Sequence, residues 1–278
     1  MKILSCGAGM QSTALALISC RQVHGEIRYP QVPRYDAIIY CDLGNEPVWV
    51  LDQVKFIEHA CQDAGIPFYI LQSDLYQDYL ENFGKSRVSA MPLWTLDENG
   101  KRGQIGYRAC TVDYKIVLIR KFVRTYLLGY RPRQWLRKED IEAHELHIGF
   151  SKEESRRSFP SQYRMFKNLF PLIEMGWTRS DTYRYNLEEW GLDSKASACM
   201  ICPFHNNYFF QHLKRNFPAD YASVVHFDDM LEQRQPLSNF RNRIFLSRSS
   251  KRIRDLTPED CDDAQTFEYR GQKLWNGF

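Results

Sequence analysis

The stretch that decides the fold reads KILSCGAGMQSTALALIS, from Lys2 to Ser19. It joins a short apolar strand, Lys2–Cys6, through a glycine-containing turn to an apolar helical run that starts at Ala14. Such a turn lets backbone N–H groups approach an anion, and the helix N-terminus adds partial positive charge. The stretch therefore predicts a phosphate site, although it matches neither the Walker A pattern nor G-x-G-x-x-G, and an ordinary tight turn is the alternative.

The alternation of strands and helices continues along the chain. A strand at Ala37–Cys41 precedes a helix from Val48 to Ala64, and a third strand follows at Pro67–Leu71. A helix from Thr111 to Leu128 and a strand at Leu146–Phe150 extend the series. These units predict an α/β fold with a parallel sheet, in which ligands gather at the carboxyl ends of the strands.

The remaining segments suggest a domain organisation. The stretch from Glu81 to Gly106 is rich in glycine, serine and charge, so we expect a long loop and a candidate lid. Thr178 and Gly191 predict the two caps of a later helix. We predict a nucleotide-binding domain over residues 1–205 and a basic, mostly helical C-terminal extension over residues 206–278.

Composition excludes several classes of protein. With 278 residues and 44% hydrophobic content the chain can bury a core, which excludes disordered and fibrous proteins. No apolar run approaches the ~18 residues of a membrane span, and no signal-peptide pattern follows Met1. We therefore expect a soluble, cytoplasmic protein without a membrane partner. The net charge of +3 does not identify a nucleic-acid binder.

The chain has eight cysteines, which fall into three groups. Four of them, Cys6, Cys20, Cys41 and Cys61, occur in apolar contexts and are predicted to be small buried hydrophobes. Cys261 occurs in an acidic stretch and receives no role. The other three, Cys110, Cys199 and Cys202, are candidate metal or cluster ligands.

The ligand prediction depends on spacing and charge. Cys199 and Cys202 form a Cys-x-x-Cys pair, whose thiolates can reach one metal ion or cluster. Cys110 begins a basic helix between Arg108 and Lys115, and positive charge favours its thiolate, so it is the best third ligand. A zinc site that takes His205 as its fourth ligand is the alternative.

Five motifs occur in an order that is more specific than any one of them. They are Gly7–Ser12 for S-G-G-x-D-S, Asp42–Glu46 for D-T-G-x-x, Arg108–Ile116 for C-C-x-x-x-K-V, Gly149–Arg157 for G-x-R-x-x-E-S-x-x-R, and Phe170–Asp181 for P-L-x-x-W-x-x-x-D. The fourth departs from its pattern, with Ser151 in place of the first arginine and one residue fewer before the final arginine. Over about residues 1 to 205 the chain thus resembles the PP-loop superfamily, in particular the phosphoadenosine and adenosine phosphosulfate reductases and their relatives.

This resemblance implies a Rossmann-like PP-loop fold that binds ATP or an adenosine phosphosulfate at the first turn. The nucleotide-binding residues it implies are Ser5, Gly7, Ala8, Gly9, Gln11, Ser12, Asp42, Gly149 and Arg157. The catalytic residues it implies are Cys110, Cys199, Cys202, Asp42 and Lys115. Asp42 is expected near the adenosine or a Mg²⁺ ion, and Ser12, Lys115 and Arg157 on the phosphates.

The departures from the reductase pattern set the expected reaction. Ala109 replaces the first cysteine of the C-C pair, and the E-C-G-x-H tail of the reductases is missing. Three cysteines resemble the 4Fe-4S site of PP-loop sulfurtransferases, in which one iron is open. We therefore expect ATP-dependent adenylation of an acceptor followed by sulfur insertion. The alternatives are a sulfonucleotide reductase, which Gln11 in place of aspartate favours, and a zinc-bearing nucleotide-binding module.

A basic segment near the C-terminus suggests the acceptor. Between Gln233 and Arg254 no acid occurs and seven residues are basic, namely Arg234, Arg241, Arg243, Arg248, Lys251, Arg252 and Arg254. With Phe240 and Phe245 between them, they suit a nucleic acid such as tRNA or DNA, although a nucleoside acceptor stays open. A solvated face, or a loop closing over the phosphates, is the alternative. The sulfur donor and the oligomeric state, a homodimer included, stay open.

Overall fold

The computed structural model describes residues 1–22, 25, 27–86, 88, 91–104, 106, 109–261 and 264–275. Arg108, which the sequence places beside the candidate ligand Cys110, lies outside the described residues. The strands are β1 (Lys2–Cys6), β2 (Ala37–Asp42), β3 (Phe68–Gln72), β4 (Trp94–Leu96), β5 (Arg102–Gln104), β6 (His144–Ile148), β7 (Phe166–Leu169), β8 (Arg243–Phe245), β9 (Thr266–Tyr269) and β10 (Gln272–Trp275).

The helices are α1 (Met10–Gln22), α2 (Val48–Asp63), α3 (Leu75–Asn82), α4 (Ala109–Thr111), α5 (Val117–Phe122), α6 (Pro171–Glu174), α7 (Arg179–Trp190), α8 (Asn207–Asn216) and α9 (Pro218–Arg234). A π-helical segment, Val112–Ile116, joins α4 to α5, and a second one, Val123–Leu127, extends α5. Together they form one continuous helix over residues 109–127. Wider turns of this kind are frequent at functional sites.

The central sheet confirms the α/β prediction. Its five strands are all parallel, in the order β3-β2-β1-β6-β7. Leu4 and Ile38 face a core shared with α1 and α2, whereas Ile3 and Ile39 face a core shared with the helix of residues 109–127. With both faces covered, β2 and β3 are almost entirely apolar, as is usual for buried parallel strands, whereas β6 and β7 also contain His144, Glu145 and Lys167.

A second apolar core lies beyond the sheet. Residues of α3, α8 and α9 build it together with Met91, Leu93 and Ile201. Both sides of residue 205 contribute to this core, and the boundary predicted there remains a prediction. The region after residue 205 is helical in α8 and α9 and then forms β8 and a hairpin of β9 and β10.

The predicted lid is not a continuous loop. Residues 81–82 end α3, and β4 pairs with both β5 and β8 in a three-stranded antiparallel sheet. The prediction failed because three-residue strands give no periodic signal, and β8 lies far along the chain. Among the described residues, each helix is too short or too polar to cross a membrane.

Candidate nucleotide-binding site and the neighbouring cysteines

A cavity of about 310 Å³ opens at the point where the strand order of the sheet reverses. From β1 the strand order runs to β2 and β3 on one side and to β6 and β7 on the other. Parallel α/β sheets bind ligands outside the carboxyl ends of their strands at such a switch point. The cavity lies there because its walls come from the residues that follow β1 and β6.

The cavity brings together seven of the nine nucleotide-binding residues expected from the sequence. These are Ser5, Gly7, Gly9, Gln11, Ser12, Gly149 and Arg157. The remaining wall residues had no predicted role and are Ile148, Phe150, Glu154, Arg179, Ala196, Ser197, Ala198 and Gln265.

Two glycines allow the backbone segments around the cavity to approach closely. A Cβ atom at Gly149 would lie 2.7 Å from the Ser12 nitrogen, and one at Gly9 would lie 2.9 Å from the Ser197 nitrogen. Both distances are shorter than a side chain permits. Glycine is therefore required sterically where the start of α1 meets the end of β6 and the segment before Cys199.

Two buried amides hold the turn in place. The Gln53 side chain donates to the carbonyl oxygens of Ala8 and Lys195 and accepts from the Lys195 nitrogen. Asn186 donates to the Met10 carbonyl oxygen and to the Ser194 hydroxyl, each at 2.9 Å. These bonds satisfy buried backbone groups and connect the turn to the segment that leads to Cys199.

Charged side chains line the mouth of the cavity. Arg157 lies 2.5 Å from the carboxylate of Glu154, and Arg179 lies 3.7 Å from it. The Gln11 side chain donates to the same carboxylate at 2.9 Å. One acidic group thus holds two guanidinium groups and an amide at the cavity, where an anionic ligand can compete for them.

The other predicted nucleotide and catalytic residues lie outside the cavity wall. Ala8 is fully buried at a φ of 52°, in the left-handed region. Asp42 accepts a hydrogen bond from the Gly44 nitrogen at 2.8 Å. Lys115 Nζ lies 3.9 Å from Glu46 Oε1, and its charge also acts on the Cys199 thiol.

Glu46 is a buried carboxyl group that the sequence analysis did not assign. Its side chain is 1% exposed, and burial raises its pKa, with Lys115 partly opposing that effect. Among the described residues, its second carboxyl oxygen finds no hydrogen-bond partner. Glu46 therefore provides an acidic group beside Lys115 and the Cys199–Cys202 pair.

The Cys199–Cys202 pair comes together as the sequence predicts. A turn in which the Cys202 nitrogen donates to the Cys199 carbonyl oxygen at 2.9 Å places the two thiols side by side. Hydrogen bonding to Cys202 and burial raise the pKa of the Cys199 thiol. Cys110 and Cys199 both pack against the second core.

The described residues contain no group of three histidine, cysteine or acidic side chains arranged to hold a metal ion. His205, the predicted fourth zinc ligand, is fully buried and stacks on Phe209 with ring centroids 3.4 Å apart. Its Nε2 lies 3.0 Å from the Cys199 carbonyl oxygen. The two adjacent thiols fit part of a cluster or zinc site, whereas the third and fourth ligands are not gathered around them.

The four cysteines predicted to be structural are buried, as expected. Burial raises the pKa of Cys6 and of Cys41 to about 11. Cys20 and Cys61 pack against each other between α1 and α2. A buried thiol with a raised pKa is a poor nucleophile, so Cys6 and Cys41 serve packing, and the contact between Cys20 and Cys61 does so as well.

An apolar cavity of about 250 Å³ adjoins the polar one. Ser5, Ile148, Phe150 and Arg157 line both cavities. The Arg157 guanidinium lies 4.4 Å from the centre of the Phe150 ring. A polar cavity joined to an apolar one suits a ligand with a charged end and a flat apolar end.

Part of the basic segment near the C-terminus is neutralised. Arg252 is buried and pairs with Asp228 at 3.1 Å, Arg254 pairs with Asp229 and Glu232, and Lys251 pairs with Asp260 at 2.7 Å. Phe245 is buried as well, so it cannot stack on a base. Three of the seven predicted phosphate contacts are therefore structural ion pairs.

No protein-family model matches the chain, and no curated protein matches it.

Proposed function

We propose that this chain is a PP-loop type sulfurtransferase of the cytoplasm, which adenylates a nucleoside or nucleic-acid acceptor and then inserts sulfur. The observation that carries the proposal is the cavity at the switch point of β1 and β6. It joins a glycine turn at a helix N-terminus to Arg157 and Arg179, and both features suit phosphate groups.

The nucleotide is proposed to lie across the two adjoining cavities. Its phosphates occupy the polar cavity, where they replace Glu154 as partners of Arg157 and Arg179. Its base enters the apolar cavity beside Phe150. The charged phosphates and the flat base of an adenine nucleotide thus match the polar and the apolar cavity. Because the two cavities share wall residues, one ligand can reach both.

The first proposed step is substitution at the α-phosphorus. An acceptor oxygen attacks, the bond to the bridging oxygen of the β-phosphate breaks, and pyrophosphate leaves with that electron pair. Arg157 and Arg179 favour the step by stabilising the charge that develops on the leaving phosphates. Asp42 accepts a hydrogen bond from the Gly44 nitrogen at 2.8 Å, so part of its carboxylate is already engaged.

In the second proposed step a sulfide-level nucleophile such as hydrosulfide bonds to the carbon that carries the adenylated oxygen, the carbon–oxygen bond breaks, and AMP leaves with that electron pair. When bound by Cys110, Cys199 and Cys202, a 4Fe-4S cluster would supply an iron with an open position for that sulfur. The adjacent thiols support the proposal, and because the third ligand is not gathered beside them we route no step through the cluster.

A sulfonucleotide reductase is the second candidate, and Gln11 favours it. Its amide donates to Glu154 at 2.9 Å and so stands at the cavity wall as a neutral group. A substrate that is already activated, such as adenosine phosphosulfate, would need no acidic group at this position. A zinc-bearing nucleotide-binding module remains the third candidate, because two thiols also suit zinc.

Product and metal analysis separate these candidates. The protein is purified without oxygen, assayed for pyrophosphate release from ATP and for sulfite release from adenosine phosphosulfate, and analysed for iron, sulfide and zinc. If the protein is a sulfurtransferase, we expect it to release pyrophosphate and to contain iron and sulfide. Iron should be lost in each of Cys110→Ser, Cys199→Ser and Cys202→Ser. Cys261→Ser is the matched control and should retain the metal.

Sulfite as the product would support the reductase instead. Stoichiometric zinc without either product would support the binding module and contradict both enzymes.

A further inference from the structure

A groove of about 700 Å³ lies beside the helix of residues 109–127 and is strongly basic. Its basic wall residues are Arg120, Lys121, Arg124, Arg131, Arg133 and Arg164, and no aspartate or glutamate is among the described residues that line it. We call it the basic groove. The sequence analysis did not single it out.

The charge of the basic groove is not neutralised within the described part of the chain. From Tyr114 to Lys138 the sequence has eight basic residues and no acid. None of the six wall residues makes an ion pair with a described carboxylate; Glu139 and Asp140, the next acids in the sequence, pair with Arg137. This distinguishes the basic groove from the segment of residues 234–254.

Aromatic rings hold two of the guanidinium groups in place. Arg120 lies 4.4 Å from the centre of the Tyr163 ring, and Arg124 lies 4.8 Å from that of Tyr130. These contacts order the side chains without cancelling their charge, so the groove presents an organised set of cations.

The groove also carries an exposed aromatic surface. Trp135, one of its wall residues, is 91% exposed, and Tyr126 on the neighbouring helix turn is 67% exposed. Large rings left in water beside guanidinium groups provide flat surfaces on which unpaired bases stack. A base-paired duplex would offer only phosphates to this surface.

The basic groove is continuous with the candidate active site. Gln162 and Tyr163 line both the basic groove and the apolar cavity, which in turn shares Ser5 and Arg157 with the polar cavity. A polyanion held in the groove would therefore lie next to the cavities that we assign to the nucleotide.

We propose that the basic groove binds the phosphate backbone of single-stranded nucleic acid, with an unpaired base stacked on Trp135. The binding itself stands on the charge, the exposed ring and the shape of the groove. The further assignment of this strand as the sulfur acceptor rests on the proposed function. The phosphate contacts come from Arg and Lys, and the sequence-independent part of the affinity falls as salt rises.

Fluorescence anisotropy tests the proposal. A labelled single-stranded oligonucleotide of about 20 nucleotides is titrated with the full chain over a salt series, without ATP. Lys121→Glu combined with Arg133→Glu should weaken binding at least about tenfold and reduce the slope of log affinity against log salt by at least about 1. Arg241→Glu combined with Arg243→Glu changes the charge equally at exposed positions and should bind like the wild type.

Trp135→Ala tests the stacking contact. It should weaken single-strand binding at least about fivefold while duplex binding stays unchanged, and the strand should quench tryptophan fluorescence in the wild type. Equal binding by the groove variant and the wild type would overturn the proposal. So would a preference for duplex, or for phosphatidylserine vesicles over the oligonucleotide.

The outcome is independent of the enzymatic assay. Groove binding without pyrophosphate or sulfite release would retain the nucleic-acid site and contradict the proposed function. Pyrophosphate release by a protein that does not bind the oligonucleotide would support the proposed function and contradict the nucleic-acid site.

Discussion

Gly149 is the residue whose lack of a side chain most directly shapes the candidate site. A methyl group there would press on the backbone of Ser12, which cannot move without displacing the start of α1. We expect Gly149→Ala to lower the free energy of unfolding by about 1–3 kcal/mol, as overpacking does. Adenine nucleotides should bind at least about tenfold more weakly, as measured by calorimetry.

Gly191→Ala is the matched control. Gly191 ends α7 at a φ of 66°, with nothing within 4 Å of an added Cβ atom. Alanine in that conformation costs about 1–2 kcal/mol of stability. Nucleotide affinity should be unchanged, and a similar loss of affinity in both variants would show that Gly149 has no local role.

Protonation of the buried His147 imidazole should make the stability of the fold depend on pH. It lies buried on β6 against Tyr35, and burial lowers the pKa of its imidazole, with Glu145 partly opposing that effect. Below about pH 6.5 the unfolded chain binds a proton that the folded chain resists, so stability should fall as pH falls. In His147→Gln, the free energy of unfolding measured in urea should change less between about pH 7 and pH 5 than it does in the wild type. Equal slopes would contradict this account.

At the scale of elements, a buried ion pair fixes α9 to the segment that follows β8. Asp228 and Arg252 are 1% and 4% exposed and lie 3.1 Å apart, and the Ile253 nitrogen also donates to Asp228. Burial raises the pKa of Asp228, and Arg252 opposes that effect. We expect Arg252→Leu to cost about 3–5 kcal/mol in urea unfolding, because it leaves a buried acid unpaired.

Two further variants separate the pair from the general basicity of its segment. Arg241→Leu changes an exposed position and should alter the free energy of unfolding by less than about 0.5 kcal/mol. Asp228→Asn added to Arg252→Leu should recover part of the loss, since no charge is then buried. If Arg252→Leu is as stable as Arg241→Leu, the pair does not hold α9.

Elements with a local signal could be predicted from the sequence. The turn after β1 and the caps of α7 at Thr178 and Gly191 lie where the residue types indicate. β6 spans His144–Ile148, two residues before the predicted position, because apolar residues continue past the strand. β4 and β5 were missed because each is only three residues long, and β8, the other partner of β4, lies far along the chain.

At the scale of the whole molecule, the site could be predicted only in part. The turn supplied most of the expected cavity residues, since one contiguous motif contains them. Arg179 and Ser197 come from separate segments whose approach depends on the fold, and Glu154 lay within a quoted motif without an assigned role. Charge counting selected the segment of residues 234–254, although folding pairs three of its seven basic residues with acids, whereas none of the six basic residues of the groove pairs with a described carboxylate.

The central claim is that an adenine nucleotide binds in the cavity between β1 and β6. Calorimetric titration of the wild type and of Arg157→Ala with ATP and with adenosine phosphosulfate tests it most directly. We expect one site per chain for at least one of these ligands, and at least about tenfold weaker binding by Arg157→Ala. Absence of binding by both ligands, or equal affinity in the wild type and the variant, would contradict it.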